Sequence, residues 1–317
     1  MNKEYPIKHI QEISGLLAHI PDPPKELYTQ GNNDLLTQTD TIYVCIVGPR
    51  KPSPYGEMVV RHILETLQPF NIITVSGIAY GIDGIVHSES MRLSIPTIAV
   101  PGSGIDDESF YPRAHIDLKY EILESGGLIM SEFDPHARAD IWTFPIRNRL
   151  MAGMSHITIV IEAEKKSGTL ITGHLAVDYG REVIAIPGSI FSNTSTGTHT
   201  LISKGAQIYI EPQTLFDVLK QISSTYSLNI FHTRGQHAFN STPRDDINTS
   251  VNRKTLDVIT PEERRVFNCI SSHAEGVTKE YIVKTLDLSL SEVSILTSLL
   301  ELHDLIRWNN GQLHARF

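Results

Sequence analysis

From Ile42 to about Ala185 the chain repeats one pattern: a short aliphatic run, a turn of small residues, then a stretch with apolar residues at helical period. "IYVCIV" (42–47) is followed by "YGEMVVRHILETL" (55–67), "IITVSG" (72–77) by "GIDGIVHSESMRL" (81–93), and "TIAVPGSG" (97–104) by a helical stretch over 115–124. "GLIMSE" (127–132) precedes a short helix from Pro145, and "ITIVIEA" (157–163) precedes a helix from Thr169 to Tyr179. "EVIAIPG" (182–188) leads through "HTLISKG" and "AQIYI" to a helix at 213–221. A strand without polar alternation is buried on both faces, and helices between such strands cover it. The pattern therefore predicts an α/β class over residues 42–222: an extended Rossmann-like domain with a mainly parallel sheet.

The flanks behave differently. Residues 1–41 contain "IPDPPKELYTQGN", whose paired prolines and Gly-Asn break any regular element, so this segment reads as an extended strap over the domain. Residues 223–254 are polar with few recurring apolar positions and read as a linker. Residues 255–317 open with Thr260 as N-cap and Pro261 at the first helical position. Two further helical stretches and a hairpin turning at Asn309-Asn310-Gly311 complete a small winged-helix domain.

A chain of 317 residues that is 40% hydrophobic and 20% charged has room for one large core and one small one. Its formal net charge of −9 excludes a uniformly basic surface and leaves open a local basic stripe. The two cysteines, Cys45 and Cys269, are far apart, so neither a disulfide framework nor a zinc site is expected, and the cysteine usage fits a reducing, cytoplasmic compartment. The first residues have no apolar signal-peptide core, and no apolar stretch has the length of a membrane span.

Open parallel sheets bind ligands at the carboxyl ends of their strands. Here those ends are rich in small residues: Gly48 with Arg50 and Lys51 beyond it, Ser76 and Gly77 with Gly81 opening a helix, "PGSG" at 101–104, Ser167-Gly168-Thr169 preceded by Lys165 and Lys166, and "PGS" at 187–189. A glycine at one strand-to-helix turn ordinarily just permits a tight bend. Several such turns with basic neighbours point to a rim of phosphate-binding backbone N–H groups at helix starts. G-x-G-x-x-G is missing after the first strand, and no P-loop pattern occurs, so dinucleotide redox chemistry and P-loop hydrolysis are disfavoured.

In "FPIRNRLMAG" (144–153), Pro145 suits the first turn of a short helix. Arg147, Asn148 and Arg149 are expected to fan outward, with Ile146, Leu150 and Met151 as anchors. Two readings stay open for the arginines: bidentate contact to phosphate, or internal salt bridges to carboxylates such as Glu132, Glu162 or Glu164. Catalytic candidates are poor. The 14 histidines include no H-E-x-x-H pair; His87 reads as a packed or capping residue, Asp83 as a helix cap or a holder of a backbone N–H, and Ser76 and Ser167 have no evident histidine partner.

Taken in order, "CIVGPRKPSPYG", "VSGIAYGIDGIVH", "YP", "SEF", "FPIRNRLMAGMS", "VIEAEKKSGTLITGHLAVDYGREVIAIPG" and "GTHTLISKGA" resemble DprA/Smf, the DNA-processing protein A family. The resemblance covers roughly residues 15 to 220 and extends to the C-terminal winged helix. It implies a bacterial single-stranded DNA-binding protein without catalytic activity or cofactor. Such a protein protects incoming single strands in natural transformation, loads the RecA-type recombinase and forms a homodimer through the Rossmann-like domain. Carried onto this chain, the basic groups are Arg50, Arg147, Arg149, Lys165 and Lys166, and the glycine turns are Gly48, Gly77, Gly81 and Gly168.

Two departures stand out: Tyr80 occupies a position where the family usually has a basic residue, which removes one candidate phosphate contact and offers a ring to stack on a base instead, and the small helical domain often found at the family's N-terminus is absent or reduced to a stub in residues 1–41. The third helix of the winged domain, "SLSEVSILTSLLELHD", is acidic and apolar, which suits protein contact or regulation better than groove reading. The rival reading is a nucleotide-binding or nucleotide-cleaving enzyme or sensor of the wider Rossmann-like superfamily. Its enzymes carry a "PGGxGT" turn, of which this chain has only "SGT".

Overall fold

The computed structural model describes residues 5–13, 15–228, 259–273, 276–303, 305–309 and 311–316. The chain forms two compact units, Met1–Phe231 and His232–Phe317.

The larger unit is built on a nine-stranded sheet. Its elements run β1 (Lys8–Ile10), β2 (Leu27–Gly31), β3 (Ile42–Val47), α1 (Pro54–Leu67), β4 (Ile72–Ser76), α2 (Ile82–Arg92), β5 (Thr97–Ala99), α3 (Ile116–Glu124) and β6 (Leu128–Ser131). They continue with α4 (Thr143–Met154), β7 (Ile157–Val160), α5 (Gly168–Asp178), β8 (Glu182–Ala185), α6 (Thr196–Ser203), β9 (Gln207–Ile208) and α7 (Pro212–Tyr226). The strand order is β1-β2-β6-β5-β4-β3-β7-β8-β9, parallel from β6 to β9. Every residue of β3, β4, β6 and β7 is buried, as expected for strands covered on both faces.

The first 41 residues do more than strap the domain. β2 pairs antiparallel with β6, Thr29 opposite Met130, and β1 pairs antiparallel with β2, so the segment extends the sheet by two strands. Leu17, Ile20 and Leu27 join the same core as Cys45 and Met151. A Cβ at Gly153 would meet Ile20 at 2.7 Å, so this glycine lets the segment pack closely on α4. The α4 helix begins at Thr143 rather than Pro145, and α7 runs to Tyr226, past the expected start of the polar linker. Of that linker, residues 229–254 lie outside the described residues.

The smaller unit contains α8 (Pro261–Ser271), α9 (Lys279–Leu286), α10 (Leu290–Leu302) and a hairpin of β10 (Ile306–Asn309) and β11 (Gln312–Ala315), a winged-helix arrangement. Thr260 and Ser289 close capping boxes with Glu263 and Glu292. Val266, Ile270, Ile282, Val293, Leu300 and Leu313 form its core. Of the expected hairpin turn, Asn310 lies outside the described residues. Cys45 and Cys269 are free and buried. Among the described residues no helix is long and apolar enough to cross a membrane.

Two buried histidines matter for stability. His87 is fully buried in a polar cluster between α2, β4 and β5, where its Nδ1 lies 2.7 Å from Thr97 Oγ1 and Thr74 Oγ1 lies 2.9 Å from Ser90 Oγ. Burial pushes His87 down to about 3, with the nearby charges of His115 and Arg147 adding to the shift. His156 accepts the Tyr43 backbone N–H at Nδ1 (3.0 Å), and burial, then Arg181, lowers it to about 4. Both rings stay neutral in the folded chain while they protonate in the unfolded chain near their ordinary value of 6.5. Their contribution is complete above pH 6.5 and is lost as the pH falls toward 4 and 3, at up to about 1.4 kcal/mol per pH unit for each ring. Urea unfolding of the larger unit between pH 7 and about pH 5 should show stability falling with acid. The slope should be shallower in His87→Gln, and an equal slope in both proteins would remove His87 from this account.

Candidate functional site

The strand order reverses at β3, with β4 on one side and β7 on the other. At such a switch point the carboxyl ends of neighbouring strands border a crevice. Here it is a pocket of about 340 Å³, with Gly48 after β3, Ala79 and Asp83 after β4, and Ser167, Gly168 and Thr169 at the start of α5. Arg50, Phe144, Arg147 and Asn148 complete its walls and floor.

Arg147 is the floor. It is 5% exposed, and its Nη1 donates to the carbonyls of Gly77 and Val100, just beyond β4 and β5. Its Nε donates to Asn148 Oδ1 (3.1 Å). Carbonyls beyond a strand's last ladder bond need a donor, and a guanidinium supplies several in a fixed plane. Gly77 makes room: a Cβ there would overlap the Arg147 guanidinium and sit 2.5 Å from Asp83 Oδ2. Asp83 is buried and accepts the Ala79 backbone N–H (3.2 Å). Burial raises its carboxyl above the usual range against the pull of Arg147. Between them Ile78 sits at φ 54, a left-handed conformation costly for a β-branched residue. His115 Nδ1 lies 2.8 Å from the Ile78 carbonyl and helps hold the turn.

The expected outward fan of Arg147, Asn148 and Arg149 is therefore corrected. Arg147 and Asn148 are both buried, because α4 lies across the strand ends and turns these side chains toward unpaired carbonyls. Arg149 points elsewhere: its Nη2 pairs with Glu132, and its Nη1 donates to the Asp22 carbonyl (2.9 Å). Burial raises Glu132, an effect that Arg149 partly offsets. The salt-bridge reading thus describes Arg149, whose partner is Glu132. Glu162 instead accepts from Ser53 Oγ (2.6 Å) and Thr194 Oγ1 (3.0 Å), tying α1 to the end of β7.

The rim is open and carries both signs of charge, exposed Arg50 and exposed Glu164. Arg50 is exposed, with its guanidinium carbon 5.0 Å from the centre of the Phe144 ring. Arg50 has no carboxylate within 4.0 Å among the described residues. Gly81 places it: at φ 75 it caps α2, and a Cβ there would lie 2.7 Å from the Arg50 carbonyl group. Opposite, Ser167 is the N-cap of α5 yet makes no side-chain capping bond, and its buried Oγ has no partner. That helix start is thus free to receive an anion. Thr169 Oγ1 donates to the Gly48 carbonyl (3.1 Å) and Asn148 Nδ2 to the Gly168 carbonyl (3.3 Å), fixing the wall.

Of the residues singled out from sequence, Gly48, Arg50, Arg147, Asn148, Ser167, Gly168 and Thr169 meet in this pocket. Lys51, Lys165 and Lys166 are exposed and outside its lining. Gly77 and Ser76 lie behind it, with Ser76 Oγ donating to the Ile46 carbonyl (2.8 Å). Tyr80 apart, sequence reasoning missed the aromatic side chains. Phe144 forms a wall, and Tyr111 meets it edge-on with centroids 5.9 Å apart. Trp142 is 56% exposed, and Tyr80 stands exposed against His115 (5.1 Å). Part of the signal was present in "DIWTFPIRNR", where two aromatic rings precede two basic groups within a few residues.

A family model described as DNA recombination-mediator protein A matches residues 1–220. The chain is 36% identical over 211 residues to DNA processing protein DprA of Bacillus subtilis, covering 67% of this chain and 69% of the relative. It is 31% identical over 270 residues to Protein Smf of Escherichia coli, covering 85% and 69%. The X-ray structure of DprA from Streptococcus pneumoniae superposes with a TM-score of 0.61 at 36% identity, over 68% of this chain and 74% of that one. DNA processing protein A from Helicobacter pylori, whose structure was described for its single-stranded DNA binding mode, superposes with a TM-score of 0.61 at 29% identity, over 68% and 96%.

Arg147 and Arg50 should respond differently to substitution. Arg147→Met strands two buried carbonyls and Asp83 and is expected to cost about 3–5 kcal/mol in urea unfolding. Arg50→Ala, at an exposed rim, should stay within about 0.5 kcal/mol of the parent. Equal stabilities for the two variants would show that Arg147 is not the structural pin described.

Proposed function

This chain belongs to the DNA recombination-mediator protein A family, and we propose that it binds single-stranded DNA across the crevice at the carboxyl ends of β3, β4 and β7. One observation carries the reading: Arg50, without a carboxylate in contact, lies against Phe144 at the mouth of a pocket whose opposite wall is the uncapped start of α5. A phosphate bridging that gap meets a guanidinium on one side and helix-start N–H groups on the other. The adjoining base has the aromatic face of Phe144 on which to stack without sequence preference. Lys51, Lys165 and Lys166 flank the mouth in sequence, are exposed, and supply the local positive potential that the overall charge of −9 conceals. Arg147, Asp83 and Gly77 keep the pocket in shape.

In this reading the protein transforms nothing. It protects incoming strands and presents bases, held by their backbone, to a RecA-type recombinase in natural transformation. A homodimer through the larger unit would let one strand cross two crevices and raise affinity by effective concentration. Ile208 and Ile210, at and just beyond edge strand β9, are 39% and 74% exposed and offer an apolar edge for a second copy. In the winged helix, α10 begins with exposed Leu290 and Glu292 and has no basic residue, which supports a protein-contact or regulatory role. A second reading, nucleotide cleavage, is supported by the Asp83 carboxyl in the lining of the same pocket, a group type that serves as general acid or base.

Fluorescence anisotropy with oligothymidine separates these readings. Arg50→Ala should weaken binding and reduce the slope of log affinity against log salt by about 0.7, one phosphate contact. Phe144→Ala should cost about 1–3 kcal/mol with the salt slope kept. Unchanged binding in both variants removes the crevice as the DNA site. Release of free base from nucleoside monophosphates by the parent, abolished in Asp83→Asn, would establish the second reading instead. For the dimer, Ile210→Glu should shift the mass measured by light scattering from two chains to one; a dimer that survives it does not use this edge.

A further inference from the structure

Phe144 also lines a second pocket, of about 480 Å³, whose lining does not include Arg50, with Tyr111, Arg113, Arg138 and Ile141 around it and Phe110 in its lining. We propose that this pocket is a second nucleotide subsite, entered by the strand after it crosses Phe144, with Arg138 on the phosphate and Tyr111 against the base. The proposal rests on the crevice reading above and extends it to Arg138 and to Tyr111, which stood in the "YP" motif without an assigned role.

Four observations support it. Arg138 is exposed and makes no ion pair among the described residues, so its charge is available to an anion. Tyr111 is 38% exposed and stands edge-on to Phe144, which places two aromatic surfaces along one path. The acidic neighbour Asp140 is already engaged: its Oδ1 accepts the Ile141 N–H (2.6 Å) and its Oδ2 the Trp142 indole N–H (2.9 Å). The remaining lining carboxylate, Glu108, is exposed to solvent, where its repulsion of a phosphate is screened.

The pocket is also pre-formed. Buried Lys119 donates to the Ile105 carbonyl (2.7 Å) and to Asp107 Oδ1 (2.6 Å), fixing the loop that carries Tyr111. Gly104 N–H donates to the Ala137 carbonyl (2.7 Å) and Asp106 N–H to the Pro135 carbonyl (3.0 Å), stitching that loop to the one bearing Arg138. Gly104 is required there, since a Cβ would overlap the Pro135 carbonyl. Ser103 Oγ accepts the Tyr111 N–H (3.1 Å), and Thr143 Oγ1 donates to the Gly102 carbonyl (2.5 Å), joining both loops to the start of α4. A site held this way loses little freedom on binding.

The test is affinity as a function of oligothymidine length, for the full chain and for Arg50→Glu, Arg138→Glu and Tyr111→Ala. The parent should show a step in affinity when the oligomer becomes long enough to pass Phe144. Arg50→Glu should weaken short and long oligomers alike. Arg138→Glu and Tyr111→Ala should remove the step, lowering affinity for longer oligomers by about tenfold. A step that persists in both of those variants while Arg50→Glu weakens binding overturns the subsite and leaves the crevice reading standing. An equal loss at every length in Arg138→Glu also overturns it, because the two pockets would then act as one site. Parent-like binding by Arg50→Glu removes the crevice reading and the subsite with it.

Discussion

A single buried guanidinium organises the crevice. Arg147 reaches from α4 to carbonyls just beyond β4 and β5 and so joins a helix to two strand ends. A buried cation is costly to desolvate, and hydrogen bonds to fixed acceptors offset that cost only when their geometry is set beforehand. The surrounding chain is consistent with that demand. Gly77 leaves space for the guanidinium, Ile78 takes a left-handed conformation, and Asp83 holds the Ala79 N–H. A rim built on such a floor keeps its width.

The basic residues divide by whether they already have partners. Arg147 and Arg149 are engaged, one by carbonyls and the other by Glu132, and they shape the protein. Lys119 is buried and engaged in the same way one loop further along. Arg50 and Arg138 are exposed without ion pairs among the described residues, the first against Phe144 and the second in a pocket that Phe144 also lines. The net charge of −9 is compatible with a polyanion ligand, since binding needs a local group of unpartnered cations and not a basic average.

Much of the architecture was legible. Aliphatic runs such as "IYVCIV" specify strands buried on both faces, and the intervening helical periods specify what covers them. The crevice was legible to the extent that small residues mark strand ends, which brought Gly48, Arg50 and Ser167 to Thr169 to one place. The two strands of the N-terminal segment were not, because β1 is three residues long and a proline-rich stretch precedes β2; their pairing depends on the exposed edge of β6. The aromatic wall was overlooked for a related reason: Phe144 and Tyr111 are 33 positions apart and become neighbours only through the loop that Lys119 secures.

By itself the sequence determined the class of fold, the place of the crevice at the carboxyl ends of the strands and the identity of the family, because these follow from local periodicity and from motifs in linear order. Only the tertiary structure decided which arginines meet solvent and which meet carbonyls. In "RNR" the charges are identical and two residues apart, yet a helix turns successive side chains by about 100°. One arginine therefore faces the strand ends and the other a carboxylate outside the crevice, and that distinction depends on where the helix is laid down against the sheet.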